Sequence, residues 1–83
     1  MKEIAYAGSA LKELMAITSA DRARIVAKLK QYASDPSSLR NQIKPLKGVN
    51  ASRLRVADYR VIFSVEQTRI LVLKVGHRRD VYE

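Results

Sequence analysis

The sequence predicts an α+β fold: a short N-terminal strand, an αα-hairpin, then a three-stranded antiparallel meander with the helices packed on one face. Two observations carry this reading. Apolar residues recur at helical spacing through residue 33, and from Ser52 onward they alternate with polar ones at a period of two. Between these halves lies the only Pro-and-Ser cluster, Ser34-Asp35-Pro36-Ser37-Ser38, which reads as a loop. At 83 residues the chain has room for one core, so a single domain over 1–83 is expected.

In order along the chain, Lys2 to Tyr6 suits a short strand. Gly8-Ser9 follows, with Ser9 as the expected N-cap of a first helix whose apolar positions are Leu11, Leu14 and Met15. Thr18-Ser19 offers the N-cap of a second helix, and Asp21 falls in its first turn, where a negative charge complements the helix dipole. Ile25, Val26, Leu29, Tyr32 and Ala33 form its apolar stripe, while Arg22, Arg24, Lys28 and Lys30 populate the rest of its surface. Asp35-Pro36 ends it, because a residue before proline avoids the α region.

The meander has a derivable register. With Ala57-Asp58 as a two-residue loop, Val56 faces Tyr59, Arg55 faces Arg60 and Leu54 faces Val61. A second turn through Glu66-Gln67-Thr68 would set Val65 opposite Arg69, Phe63 opposite Leu71, Val61 opposite Leu73 and Tyr59 opposite Val75. One face then collects Leu54, Val56, Tyr59, Val61, Phe63, Val65, Leu71, Leu73 and Val75 for the helices to cover. The other collects Arg53, Arg55, Arg60 and Lys74, with Ile62, Ser64, Ile70 and Val72 beside them. A slip of one residue would drive four cations into the core, so parity is strongly specified.

Composition excludes several classes. There is no cysteine, hence no disulfide and no thiolate metal site, and the single histidine, His77, argues against a zinc centre. No apolar run approaches the roughly 18 to 20 residues of a membrane span, and Glu3 and Gly8 interrupt any signal-like segment. A cytoplasmic protein with no cofactor, no metal and no membrane partner is the expectation. The net charge is +8, and it is uneven: residues 1–39 carry six basic and four acidic side chains, residues 40–83 ten and four. Such a field attracts polyanions, of which nucleic acid is the commonest in a cytosol. The plain alternative is a soluble surface that happens to be basic.

The cationic sheet face is the candidate site. Like charges directly opposite across a strand pair are destabilising, so Arg55 beside Arg60 is a local cost. After the last strand comes Gly76-His77-Arg78-Arg79-Asp80-Val81-Tyr82, where Gly76 is expected to let the backbone leave the sheet and Arg78 shares the parity of Arg60 and Lys74. Tyr82, without an apolar partner nearby in sequence, is a candidate plate for stacking on a base. Arginines that grip phosphate oxygens together with one aromatic plate suit single-stranded RNA.

Leu54-Arg55-Val56-Ala57-Asp58-Tyr59-Arg60-Val61-Ile62-Phe63, followed by Val75-Gly76-His77-Arg78-Arg79-Asp80-Val81-Tyr82, resembles the RelE branch of the RelE/ParE toxin superfamily. Ile43-Lys44-Pro45-Leu46-Lys47-Gly48 is similar to that family's basic connection into the sheet. The resemblance covers essentially the whole chain. It implies the toxin of a type II toxin–antitoxin system: a ribosome-dependent mRNA endonuclease, neutralised by an acidic, partly helical RelB-like antitoxin. By the same resemblance Arg60 holds the scissile phosphate, Arg78 stabilises the transition state, and Tyr82 stacks on the substrate base and is placed for proton transfer. Arg53 falls where the best-known member has a catalytic lysine. A second lysine of that member falls on Ala51, which has no ionisable group, and Ala57 stands where a glycine is usual.

Attack of a 2′-hydroxyl on the neighbouring phosphate needs in-line geometry, a proton acceptor and positive charge at phosphorus. Arg60 and Arg78 can supply the charge without a metal. Arg55, Lys74, Lys47, Lys44 and Arg79 are the expected RNA-binding cations. His77 is a candidate general base on intrinsic pKa, but its parity points it away from Arg78. Among several arginines the Tyr82 phenolate is favoured, which makes it the other candidate. Two rival functions stand beside this one: a ParE-like inhibitor of DNA gyrase on the same fold, and a non-catalytic nucleic-acid-binding module.

Overall fold

A computed structural model describes residues 1–77. In chain order the elements are β1 (Glu3–Tyr6), α1 (Gly8–Ala16), α2 (Ser19–Ser34), a 3-10 segment (Pro36–Gln42), β2 (Ile43–Pro45), β3 (Ser52–Val56), β4 (Tyr59–Val65) and β5 (Arg69–His77). The strands form one sheet in the order β1-β5-β4-β3-β2. The predicted meander is its centre, and each edge gains a strand. β1 runs parallel to β5, with Ile4 opposite Ile70 and Tyr6 opposite Val72. β2 pairs antiparallel with β3, so the stretch expected as a basic connection is partly sheet. Leu46 N–H donates to the Ala51 carbonyl at 3.0 Å, and Gly48 adopts φ +77°, a turn conformation open to glycine at no steric cost.

Ser9 is not the N-cap of α1. Ala7 occupies that position, without a side-chain cap, because its N–H still donates to Val72 O at 2.8 Å as the chain leaves β1. The helix therefore starts two residues earlier than the sequence suggests. The start of α2 is as expected: Thr18 Oγ1 accepts from Asp21 N–H at 3.3 Å, with Asp21 in the first turn. Of the expected loop from Ser34 to Ser38, Ser34 closes α2, and Pro36 to Ser38 open 3-10 turns that run to Gln42 and break at Leu39, whose side chain is buried. Arg22 is more than a surface charge. It reaches back to the carbonyls of Leu14 (3.2 Å), Met15 (3.3 Å) and Ile17 (3.2 Å), acceptors that the end of α1 leaves without intrahelical donors.

The core joins Ala10 and Leu14 of α1 and Ile25, Leu29 and Ala33 of α2 to the inner sheet face. Tyr32 leans on Phe63 with ring centroids 5.2 Å apart at 60°, a tilted aromatic contact. Leu11 and Met15, the other apolar positions expected on α1, face solvent. Among the described residues no helix is long and apolar enough to cross a membrane.

The β3–β4 register is the derived one: Val56↔Tyr59, Arg55↔Arg60, Leu54↔Val61. The β4–β5 register is not. Val65 pairs with Ile70, Ser64 with Leu71 and Phe63 with Val72; an irregularity follows, and beyond it Ile62 pairs with Lys74, Val61 with Val75, Arg60 with Gly76 and Tyr59 with His77. Leu73 is the extra residue of a β-bulge. Ile70 and Val72, expected on the cationic face, are consequently buried, while Leu71 and Leu73 are only partly covered and Val65 is exposed at the strand end. The reason lies in Ile70-Leu71-Val72-Leu73, apolar at every position, which gives a period-two pattern nothing to choose by. The turn makes the choice: Glu66 N–H donates to Arg69 O at 2.8 Å, which sets Ile70 opposite Val65. Carried on without a bulge, that register would place Lys74 opposite Val61, inside the core. The bulge restores the parity that keeps the ammonium out.

Candidate nucleic-acid interface

The β3–β4 hairpin builds the site. Its turn needs a positive φ at the first central residue, and Ala57 supplies it at +52°, a conformation L-residues enter at a cost of about 1–2 kcal/mol. The tight turn sets Arg55 directly across from Arg60, with Arg53 two residues along on the same face. All three lie on the side of the sheet away from the helices. Arg60 is half-buried, and its Nη1 is enclosed with no hydrogen-bond partner among the described residues. Burial lowers the pKa of Arg53 from the usual guanidinium value, and the like charges of Arg60 and Arg55 lower it further. Three guanidinium groups are thus held together against their mutual repulsion.

The remaining expected residues divide. Lys44 on β2 sits opposite Arg53 and extends the cationic face to the sheet edge. Lys47 lies in the turn after β2, beyond the paired strands. Lys74 has the expected parity, opposite Ile62, but its ammonium is engaged by Glu13 Oε2 at 3.2 Å. Gly76 does not release the backbone from the sheet. It is paired within β5 opposite Arg60. His77 lies opposite Tyr59 on the helix-facing side, ring edge to ring at 5.8 Å, and so is turned away from the arginines. Arg78, Arg79 and Tyr82 lie outside the described residues.

Two contributors were not visible from sequence. Glu13 on α1 meets both Lys74 and the Val75 amide, 61 and 62 residues away. Asp21 approaches the Tyr59 hydroxyl, whose pKa is raised first by burial and then by Asp21 and Asp58. No local pattern announces either pairing. The bare chemistry of the face is anion binding: Arg53, Arg55 and Arg60 offer planar donors suited to phosphate oxygens, and half-exposed Ile62 and Leu71 lie beside them.

Residues 4–82 match the family described as ParE toxin of type II toxin-antitoxin system, parDE. No curated protein matches the sequence significantly. Among solved structures, the fold is similar to a chain of the RelB-RelE antitoxin-toxin complex from Methanococcus jannaschii, 26% identical, covering 95% of each chain, with a TM-score of 0.75. It is also similar to the archaeal RelE-RelB complex from Pyrococcus horikoshii OT3 (23% identical, 96% of this chain and 98% of that one, TM-score 0.78). A third likeness is to the chromosomal ParDE system of P. aeruginosa (15% identical, 93% and 96%, TM-score 0.71). The last two, at their low identities, speak for the fold alone. With its helices on one sheet face, its arginines on the other and a family match spanning nearly every residue, the chain belongs to the ParE toxin family of type II toxin–antitoxin systems, within the RelE/ParE superfamily.

Proposed function

We propose that this toxin is a ribosome-dependent mRNA endonuclease acting in the cytoplasm, cleaving by 2′-hydroxyl attack. The observation that carries this reading is Arg55 directly opposite Arg60, with Arg53 beside them, on a sheet face that the described helices leave open. That arrangement costs the fold stability and is offset when a polyanion sits on it.

In the proposed reaction Arg60 and Arg53 bind the non-bridging oxygens of the scissile phosphate. A base accepts the 2′-hydroxyl proton, the 2′-oxygen attacks phosphorus in line, and the bond to the 5′-oxygen breaks. The products are a 2′,3′-cyclic phosphate and a 5′-hydroxyl, the leaving oxygen taking up a proton. Arg78 neutralises the charge gathering on the phosphoryl oxygens, and the Tyr82 phenolate is the base we assign. His77 is set aside for that role because it sits with Tyr59 on the other side of the sheet. A site this poor in ordinary acids and bases gains most from a partner that orients the substrate, which is the part assigned to the ribosome. The partner in the uninhibited cell is an acidic, partly helical antitoxin covering the arginine face; the M. jannaschii and P. horikoshii relatives are each in complex with a RelB antitoxin.

The test is to map mRNA 5′ ends after induction and to repeat the cleavage with purified ribosomes and with bare RNA, for the parent and for Arg60→Ala. New ends within translated codons, dependent on ribosomes and absent with Arg60→Ala, are expected. A second reading, inhibition of DNA gyrase, is favoured by the description of the matched family. Intact mRNA accompanied by DNA damage would establish it in place of cleavage, and neither effect would leave a passive nucleic-acid binder.

A further inference from the structure

The edge of β5 is protected in two different ways along its length. β1 accompanies it through Tyr6↔Val72, and the last main-chain bond of that pairing is Ala7 N–H to Val72 O at 2.8 Å. The chain then turns into α1, so β1 offers no partner to the outer edge of residues 73–77. This is also where β5 is weakest on its other side, because the bulge at Leu73 interrupts the ladder with β4. The segment so placed carries Gly76, which lies opposite Arg60, and leads in sequence to Arg78.

Among the described residues, one carboxylate reaches into this gap. α1 is seated by its buried Ala10 and Leu14, and Glu13 extends from it to the strand. Glu13 Oε1 accepts the Val75 N–H at 2.9 Å, doing for that amide what a neighbouring strand would do. Glu13 Oε2 accepts from Lys74 Nζ at 3.2 Å, so the ammonium is tied to the helix rather than left among the arginines.

We infer that Glu13 is a positioning residue for the reaction: it fixes the last part of β5 past the bulge, and with it the strand that faces Arg60. This rests on the endonuclease reading above. The main-chain bond is the working part, since it sets the strand's height and pleat, and misplacement of about 1 Å at a reacting centre can cost 100-fold in rate. The Lys74 pair is secondary, being half-exposed and screened.

Two variants separate these parts. Glu13→Gln keeps an oxygen acceptor for Val75 and removes the charge on Lys74's partner, whereas Glu13→Ala removes both. Single-turnover cleavage on saturating programmed ribosomes, ribosome affinity, and hydrogen exchange of the Val75 amide are measured for the full-length toxin and both variants. Glu13→Gln should stay within about threefold of the parental rate with Val75 still protected. Glu13→Ala should lose at least tenfold in rate, with affinity within about twofold of the parent and Val75 exchanging freely. Parental cleavage by Glu13→Ala overturns the positioning role, and so does a Glu13→Gln that fails as badly as Glu13→Ala. A rate loss matched by an equal loss of ribosome affinity overturns it as well. A parent that cleaves no mRNA overturns the endonuclease reading itself and Glu13's part in it, an outcome distinct from a cleaving parent whose variants behave alike.

Discussion

Replacing Arg60 by methionine should disable the toxin and make it more stable. Methionine keeps most of the aliphatic stem, so little packing is lost, while the charge opposite Arg55 disappears. A like-charged cross-strand pair costs roughly 0.2–1 kcal/mol. Arg60 Nη1 is moreover enclosed without a hydrogen-bond partner among the described residues, and an unsatisfied buried donor costs about 1–3 kcal/mol. Because the side chain is only half-buried, water relieves part of that penalty, and a net gain of about 1 kcal/mol is expected. For a domain of this size that raises Tm by about 4–8 °C. Thermal unfolding followed by circular dichroism, at low salt and near 1 M salt, measures it. The repulsive part should shrink at high salt, where the screening length falls to about 3 Å. Arg69→Met is the control: that arginine is paired with Glu66 and should give no gain. A destabilised Arg60→Met, or an equal gain from Arg69→Met, would refute the view that the arginine face is held at the fold's expense.

Further outcomes are expected at other residues. Arg22→Ala removes the donor to three carbonyls at the end of α1 and should cost about 1–2 kcal/mol in chemical denaturation, its partial exposure placing it in the lower part of the range for charged hydrogen bonds. Ala57→Gly relieves the positive φ and should stabilise by up to about 1 kcal/mol, glycine's greater unfolded-state freedom offsetting the remainder; a loss would mean the turn is unstrained. The Tyr6 and Tyr59 hydroxyls are held above their ordinary value of 10.0, by burial in both and by Asp21 and Asp58 at Tyr59. The fold therefore favours the neutral phenols, and their contribution is complete below about pH 10 and lost as pH rises through the folded-state values; denaturant midpoints should fall there, less steeply in Tyr59→Phe. Arg78→Ala should lower single-turnover cleavage by a factor of about 100 or more with Tm unchanged, and Tyr82→Phe should do the same at constant ribosome affinity if its phenol moves the proton, whereas Tyr82→Ala at full activity would remove the residue from the site.

The hairpin that carries the arginines was legible in the sequence because its information is local. Ala57-Asp58 leaves room for only a two-residue loop, and strict alternation from Arg53 to Val56 allows one parity, so Arg55 opposite Arg60 follows from chain geometry. The start of α2 was equally local, Thr18 and Asp21 meeting within one turn. The family resemblance rested on that stretch together with residues 75–82 and 43–48, and the match over residues 4–82 agrees with it. What lay beyond the sequence depends on partners distant along the chain. Ile70 to Leu73 are apolar throughout, so pattern alone does not tell their faces apart; the turn closed between Glu66 and Arg69 chooses, and a bulge at Leu73 then becomes the way to keep Lys74 out of the core that the helices cover. Arg22 and Glu13 look like any solvated charge on an amphipathic helix. Only the packed arrangement shows that one closes the end of α1 and the other the open edge of β5, because an unsatisfied carbonyl or amide exists only once the backbone has been folded into place.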